Sequence, residues 1–414
     1  MPSAHLDTIS LVDPAFWRRT DRDQIFEQFR RLAPIWWHPD SDIIKGFWSL
    51  TRHAEVDLVS RDWKTFCSRL GTAITDEPVE LSRALGGMLN MDAPEHVRLR
   101  KIVNNAFKPK SMQAIASGIE DCARQTISAI AEQGECDFAT DIAQPFPVNV
   151  ICQMLGAPSS DWRELHRLST VALGADGLDI ATGEETREQV ALDAFYALNH
   201  YGEDLCKSRR KQPRDDLIST IATAQVDGDR LSVEEVGVFF QLLITAGVET
   251  TGSALGQGFL ALSQFPGERR LWQDDFERLA PTAVEEIVRY ATPVIHFRRT
   301  ATRDTELDGV AISEGDKVVL WYLSANRDES VFVDPFRLDL ARHPNPQLGY
   351  GGGGRHFCLG ANLARMEITA LFKYLFKYLP DIEVSGDATP LPSRFVNGLL
   401  SLPCRYTPSS RKIQ

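Results

Sequence analysis

The chain has 414 residues, 43% of them apolar and 25% charged, with a formal net charge of −12. That length and composition suit a large folded core, and an acidic chain without a basic run is a poor partner for nucleic acid. Its seven cysteines are dispersed without a C-x-x-C pair, which argues against a disulfide framework or a structural zinc site.

Met1 to Ser10 is polar and mixed, without the basic start and apolar stretch of a signal peptide. The most apolar run, Val236 to Val248, is short for a membrane span and leads into Glu249. These features predict a cytoplasmic protein with no membrane anchor. No linker, repeat or low-complexity block divides the chain, so one domain is expected over residues 1–414.

In chain order, Gly46 to Thr51 predicts a strand and Glu95 to Phe107 a basic helix. From about 112 to 290 the pattern is mainly helical. Ser232-Val233-Glu234-Glu235 fits a capping box. The helix it opens carries Val236, Val238, Phe239, Phe240, Leu242, Leu243 and Ile244, leaving no polar face, which predicts burial on all sides. Ala246-Gly247-Val248-Glu249-Thr250-Thr251 then places a carboxylate and two hydroxyls inside that rod, a costly arrangement without a use.

A second helix ends near Tyr290 and contains Glu286 and Arg289, three residues apart; most such pairs are solvated and worth little. Leu307 to Tyr322 predicts a hairpin turning at Glu314-Gly315-Asp316. An irregular stretch follows from Asp334 to Pro346, then a Gly-rich loop, then a helix from about Leu359 to Leu379 stopped by Pro380. The fold class is mainly α with a minor β part.

The loop Gly349 to Gly360 holds most of the chemical information. Gly349, Gly351 and Gly354 satisfy G-x-G-x-x-G, the mark of a nicotinamide-dependent dehydrogenase, but that fingerprint needs a buried strand before it. His343-Pro344-Asn345-Pro346-Gln347 is no such strand. The other reading makes the loop a bed for a flat cofactor, with Cys358 at a helix start where free N–H groups favour a thiolate. Such a sulfur suits an axial iron ligand. A merely buried cysteine, or a nucleophile paired with His356, are the alternatives that the residues alone leave open.

Tyr350 through His356-Phe357-Cys358-Leu359-Gly360 resembles the ligand loop of the cytochrome P450 family. Ala246 to Thr251 resembles its oxygen-activation segment, Glu286-Ile287-Val288-Arg289 its E-x-x-R, and His96-Val97-Arg98-Leu99-Arg100 its H-x-x-x-R. The motifs fall in the family's order over residues 96 to 360. The aromatic lies eight residues before the cysteine, one more than usual, and is tyrosine rather than phenylalanine. This variant, with Trp321 to Ser330 and Ala361 to Arg365, resembles an actinobacterial subgroup oxidising methyl-branched lipids and sterol side chains.

The resemblance implies a haem-thiolate monooxygenase with the cytochrome P450 fold, using heme b, dioxygen and electrons from a ferredoxin and ferredoxin reductase. Cys358 would ligate the iron. His96, Arg100, Arg299 and His356 would meet the propionates, with Ala246 and Gly360 against the macrocycle. Glu249 would relay protons and Thr250 would hold water or oxygen, its hydroxyl bonded back to the Ala246 carbonyl so that the helix bends. Glu286 and Arg289 would form a structural pair, with Arg342 or its rival Arg337 as third member. Arg355, Arg365, Lys108 and Lys110 would offer a cationic face to the ferredoxin. Leu89, Asn90, Ala246, Val294, Phe297, Phe395 and Val396 would line the site for a hydrophobic substrate: a methyl-branched or isoprenoid lipid or a sterol side chain, with a terpenoid as the runner-up. A haem sensor without turnover is the non-enzymatic alternative.

Overall fold

Protein encloses most of the Val233–Gln264 helix, although not every side is buried as expected: Ala246 is exposed on a face that opens onto a cavity. Its start is the expected capping box: Glu235 N donates to Ser232 Oγ at 3.0 Å, and Ser232 N donates to the Glu235 carboxylate at 2.8 Å. Val236, Phe240, Ile244 and Val248 are buried along it, and the helices Arg187–Lys211, Pro145–Leu155, Phe276–Ala291 and Trp162–Leu173 pack around it. It is the one described helix long and apolar enough to cross a membrane; here the same apolar surface is spent on the largest core cluster. The chain is seen in a computed structural model that describes residues 3–41, 44–107, 109–173, 187–225 and 228–409.

The β part is a five-stranded sheet in the order Ile35–His38, Phe47–Leu50, Lys317–Trp321, His296–Ala301, Phe66–Cys67, with smaller two- and three-stranded pieces. Phe47–Leu50 pairs with Lys317–Trp321 in parallel and the other neighbours are antiparallel. Lys317–Trp321, at the centre of the sheet, is buried at all of its positions. Trp321 stacks against Trp17 at 5.6 Å within a second apolar cluster under the sheet.

One expected element is corrected. The 307–322 segment is not a hairpin turning at Glu314-Gly315-Asp316. The hairpin is Thr305–Leu307 against Val310–Ile312, turning at Asp308-Gly309, where both residues have positive φ (47° and 79°). Asp-Gly is the pair that such a two-residue turn selects. Gly315 instead redirects the chain so that Lys317–Trp321 joins the larger sheet. The basic helix is also shorter than expected: Glu95–Val103 is α-helical and Asn104–Phe107 tightens to a 3₁₀ turn.

Candidate active site

Two helices and a loop converge at Cys358. The Gly-rich loop doubles back on itself: Gly351 N donates to Leu348 O at 2.9 Å and Cys358 N to Tyr350 O at 3.0 Å. Gly351 and Gly354 take φ of 81° and 108°, a region that favours glycine. At Gly354 a Cβ would also lie 2.9 Å from the Ser60 carbonyl oxygen. The loop therefore sits tightly on the end of the His53–Arg61 helix and presents Cys358 just before the Ala361–Tyr378 helix. The sulfur lies deep in the molecule yet opens onto a cavity of about 230 Å³. Burial pushes the Cys358 thiol up, opposed by the Gly360 N–H and then by the charges of Arg100 and Arg365.

The central helix forms one wall with Ala246, Gly247, Thr250 and Thr251. Thr250 Oγ1 donates to Ala246 O at 2.6 Å, the back-bond expected of a threonine in this position. His96, Arg100, Arg299 and His356 line the same cavity. The His96 and His356 rings are 4.3 Å apart, and Arg100 Nη2 donates to Phe357 O at 2.7 Å. Leu89, Val294 and Phe297 are on the wall, joined by Met88, Phe107, Ile151, Phe239 and Leu242.

Four residues singled out in the sequence lie elsewhere. Asn90 is turned away from the cavity, accepting from Thr72 Oγ1 at 2.6 Å and donating to Ser82 O at 2.6 Å. Phe395 stands a layer back, its ring 5.5 Å from that of Phe297. Val396 pairs with Val294 as a β-bridge but faces a second cavity of about 210 Å³ on another side of the central helix. Glu249 lines that second cavity too, where Thr170 Oγ1 donates to its Oε1 at 3.1 Å. Burial pushes the Glu249 carboxyl up, with the Thr170 hydroxyl opposing.

Arg289 Nε and Nη2 each donate to Glu286 at 2.7 Å, both residues having no exposed surface. Arg342 takes the third place, its Nε 3.1 Å from Glu286 Oε2; Arg337 contributes only its carbonyl, accepting from Arg289 Nη2 at 3.2 Å. Of the cations expected to face a ferredoxin, Arg365 is paired with Glu285 at 2.5 Å and Arg355 lies 3.7 Å above the Trp63 ring. Lys108 and the side chain of Lys110 lie outside the described residues.

No motif points to Glu367, although it lines the Cys358 cavity. The sequence carries one signal for it: it stands one turn before Leu371, on the apolar stripe of the last helix.

The cytochrome P450 family profile matches residues 278–403. A methyl-branched lipid omega-hydroxylase of Mycobacterium tuberculosis is 42% identical over 416 residues, 98% of this chain and 96% of that protein. The chain is a cytochrome P450. A steroid C26-monooxygenase of Rhodococcus jostii is 36% identical over 96% of this P450 and 85% of that protein. Among solved structures, a Mycobacterium marinum cytochrome P450 in complex with pseudoionone superposes with a TM-score of 0.91 at 38% identity, covering 96% of this chain and 98% of that one. The resemblance carried by four motifs thus holds over nearly the whole chain, and this P450 is a monooxygenase.

The family carries haem iron on a cysteine thiolate, and the residues present fit that group. His96 Nδ1 is buried without a hydrogen-bond partner. The described hydrogen bond of the buried Arg299 guanidinium goes to its own neighbour, Arg298 O, at 2.8 Å. Burial, and then the charges of Arg299, His96 and Arg100, press His356 down to about 2; burial, Arg100 and Arg355 press His96 down to about 4. Guanidinium groups crowded together with neutral imidazoles that have donors to offer are the complement of a dianion. A Cβ on Gly360 would enter open space, so the start of the last helix leaves room for a flat face.

Proposed function

We propose that this P450, acting as one domain in the cytoplasm, hydroxylates a methyl-branched or isoprenoid lipid, or a sterol side chain, near the end of its carbon chain. The observation that carries the reading is the division of the Cys358 cavity. Its cationic groups cluster around His356, while Met88, Leu89, Phe239, Leu242, Val294 and Phe297 form an apolar stretch of wall with no charge to hold a polar head. An alkyl end suits such a wall. The names of the relatives, a methyl-branched lipid omega-hydroxylase and a steroid C26-monooxygenase, support the same class.

Cys358 would hold the iron, and His96, Arg100, Arg299 and His356 would hold the propionates, between Gly360 on one face and Ala246 on the other. Heme b bound in this way supplies activation of dioxygen for insertion of one oxygen atom into a C–H bond. The protein's own part is the movement of protons and the exclusion of water. Thr250, with its hydroxyl on the Ala246 carbonyl, would bend the helix there and open it toward the cavity. Glu249, facing the second cavity, would collect protons there and, on leaving its Thr170 contact, relay them toward Thr250. Two electrons come from separate proteins, a ferredoxin and its reductase.

The test is direct. Reduced protein treated with carbon monoxide is expected to show the spectrum of thiolate ligation, and Cys358→Ser to lose it. Branched fatty acids and sterols are expected to shift the haem spectrum and, under labelled dioxygen, to yield a labelled alcohol at the chain end. A shift with terpenoids alone, or oxygen use without a labelled product, would overturn the substrate assignment or the turnover respectively.

A further inference from the structure

Cys136 and Cys404 meet across two strands. Glu135–Asp137 pairs antiparallel with Pro403–Arg405, and the register sets Cys136 directly opposite Cys404. Backbone bonds on either side, from Phe138 N to Leu402 O at 2.8 Å and from Tyr406 N to Gly134 O at 2.9 Å, make this a hydrogen-bonded pair of the ladder. Cα atoms in such a pair stand about 5.5 Å apart, inside the span of a disulfide. Directly opposed side chains share one face of the sheet, and here the sulfurs touch: contact with Cys404 is the largest influence on the Cys136 thiol. Both cysteines are free; Cys404 is 1% exposed, while Cys136 is partly open to solvent.

The surroundings fix how the pair reacts. Cys404, then burial, then the charges of Asp141 and Asp137 push the Cys136 thiol up. Arg269 and Tyr406 are the other titratable groups that face the sulfurs. Little thiolate is therefore present at neutral pH, and the thiolate is the form that attacks an oxidant. Such a pair withstands brief exposure and responds to a sustained one.

The same strands frame the second cavity. Glu135–Asp137 runs straight into the Phe138–Ala143 segment, which places Ala139, Thr140 and Ala143 on the wall of that cavity. Leu399 and Leu400, shortly before Pro403, lie on it as well. Asp137 ties the two sides, accepting from Ala139 N at 2.9 Å and from Leu402 N at 3.1 Å.

We propose that Cys136 and Cys404 are a redox-sensitive pair, closed to a disulfide by hydrogen peroxide, which a monooxygenase releases when electrons reach dioxygen without reaching substrate. Cys136, the accessible sulfur, attacks one peroxide oxygen; the O–O bond breaks and water leaves, giving a sulfenic acid. The Cys404 sulfur then displaces the remaining oxygen as water, and the S–S bond forms. The two thiols lose two electrons and two protons, and one peroxide becomes two waters. The ladder must give slightly for the sulfurs to join, so the bond is one that small thiols readily undo. Closed, it locks the two strands that frame the second cavity and crosslinks segments far apart in the chain, which stabilises the fold. The inference is independent of the substrate and of the Glu249 relay.

The experiment exposes the haem-loaded enzyme to hydrogen peroxide over a time course, alkylates the remaining thiols under denaturing conditions and maps the peptides by mass spectrometry. A crosslinked peptide joining Cys136 to Cys404 is expected, and dithiothreitol should abolish it. The oxidised enzyme should melt several degrees above the same sample after dithiothreitol, a difference that vanishes in Cys136→Ala and in Cys404→Ala. Absence of the crosslink, whether Cys136 stays a thiol or passes to a sulfinic or sulfonic acid, would overturn the pair, as would a crosslink from Cys136 to another cysteine. Equal melting before and after dithiothreitol would overturn the lock. Should a variant fail to fold, the wild-type peptide map and its reversal decide alone.

Discussion

The Thr170 hydroxyl donates to Glu249 Oε1 at 3.1 Å, tying the Trp162–Leu173 helix to the centre of the Val233–Gln264 helix. The bond holds the Glu249 carboxylate on the side of the second cavity, away from the wall where Thr250 stands. It also opposes the upward push of burial on that carboxyl.

Thr170→Val removes that opposition, so Glu249 should stay protonated to a higher pH. A relay that must ionise to collect its next proton then works only at higher pH. The acid limb of substrate-coupled oxygen use is expected to move upward in Thr170→Val and to vanish, at a lower overall rate, in Glu249→Gln. Oxygen-electrode measurements across the neutral range check both; an unmoved limb would remove Glu249 from the relay.

The Glu286 cluster separates two arginines that the sequence leaves as rivals. Glu286→Gln leaves two buried guanidinium groups without their counter-charge, a loss of about 3–5 kcal/mol by the usual cost of breaking a buried pair. Arg342→Met should destabilise strongly, because its Nε contacts both Glu286 oxygens at 3.1 and 3.2 Å. Arg337→Met should cost far less, since a substitution keeps the backbone carbonyl that Arg289 uses. Urea unfolding with haem content as a second readout ranks the three.

Arg299 is buried beside other cationic groups, and burial holds its guanidinium below its usual range. Arg299→Met should therefore stabilise the haem-free chain while weakening haem retention. One lost charge-assisted hydrogen bond corresponds to about 1.5–3 kcal/mol, which is roughly tenfold or more in retention. Haem transfer to a scavenger protein, set beside melting of the haem-free form, reads the two opposite signs.

Two buried histidines that do not line the Cys358 cavity set an acid limit to stability. Burial lowers His38 to about 4 and His296 to about 3. Both remain neutral in the fold, whereas the unfolded chain protonates them below about pH 6.5. Unfolded protein then binds more protons, so stability is full above that pH and falls as pH drops toward the folded values. Each histidine contributes a loss of up to about 1.4 kcal/mol per pH unit in that window. Urea unfolding at successive pH values is expected to show this slope, and His38→Gln to reduce it; an unchanged slope would place the acid sensitivity elsewhere.

Features written in contiguous residues are legible in the amino-acid sequence itself. Ser232 to Glu235 specifies its own cap, Val236 to Ile244 its own burial, and Gly351 to Gly360 the turn and helix start that display Cys358, because each depends on bonds and periods within a few residues. The order of the motifs then points to the family. Orientation is another matter. Glu249 and Thr250 are sequence neighbours, yet 100° of helical rotation sends one to the second cavity and the other to the first. Asn90 lies beside Leu89 but is claimed by Thr72 and Ser82, and Arg342 displaces Arg337 through contacts more than fifty residues away in the chain. Glu367 is one polar residue on an apolar stripe until the fold brings Thr251 to face it. Local sequence sets the period of a helix and the conformations a loop can reach; which side chain meets a cavity is set by the neighbours that pack against it, and these arrive from distant parts of the chain.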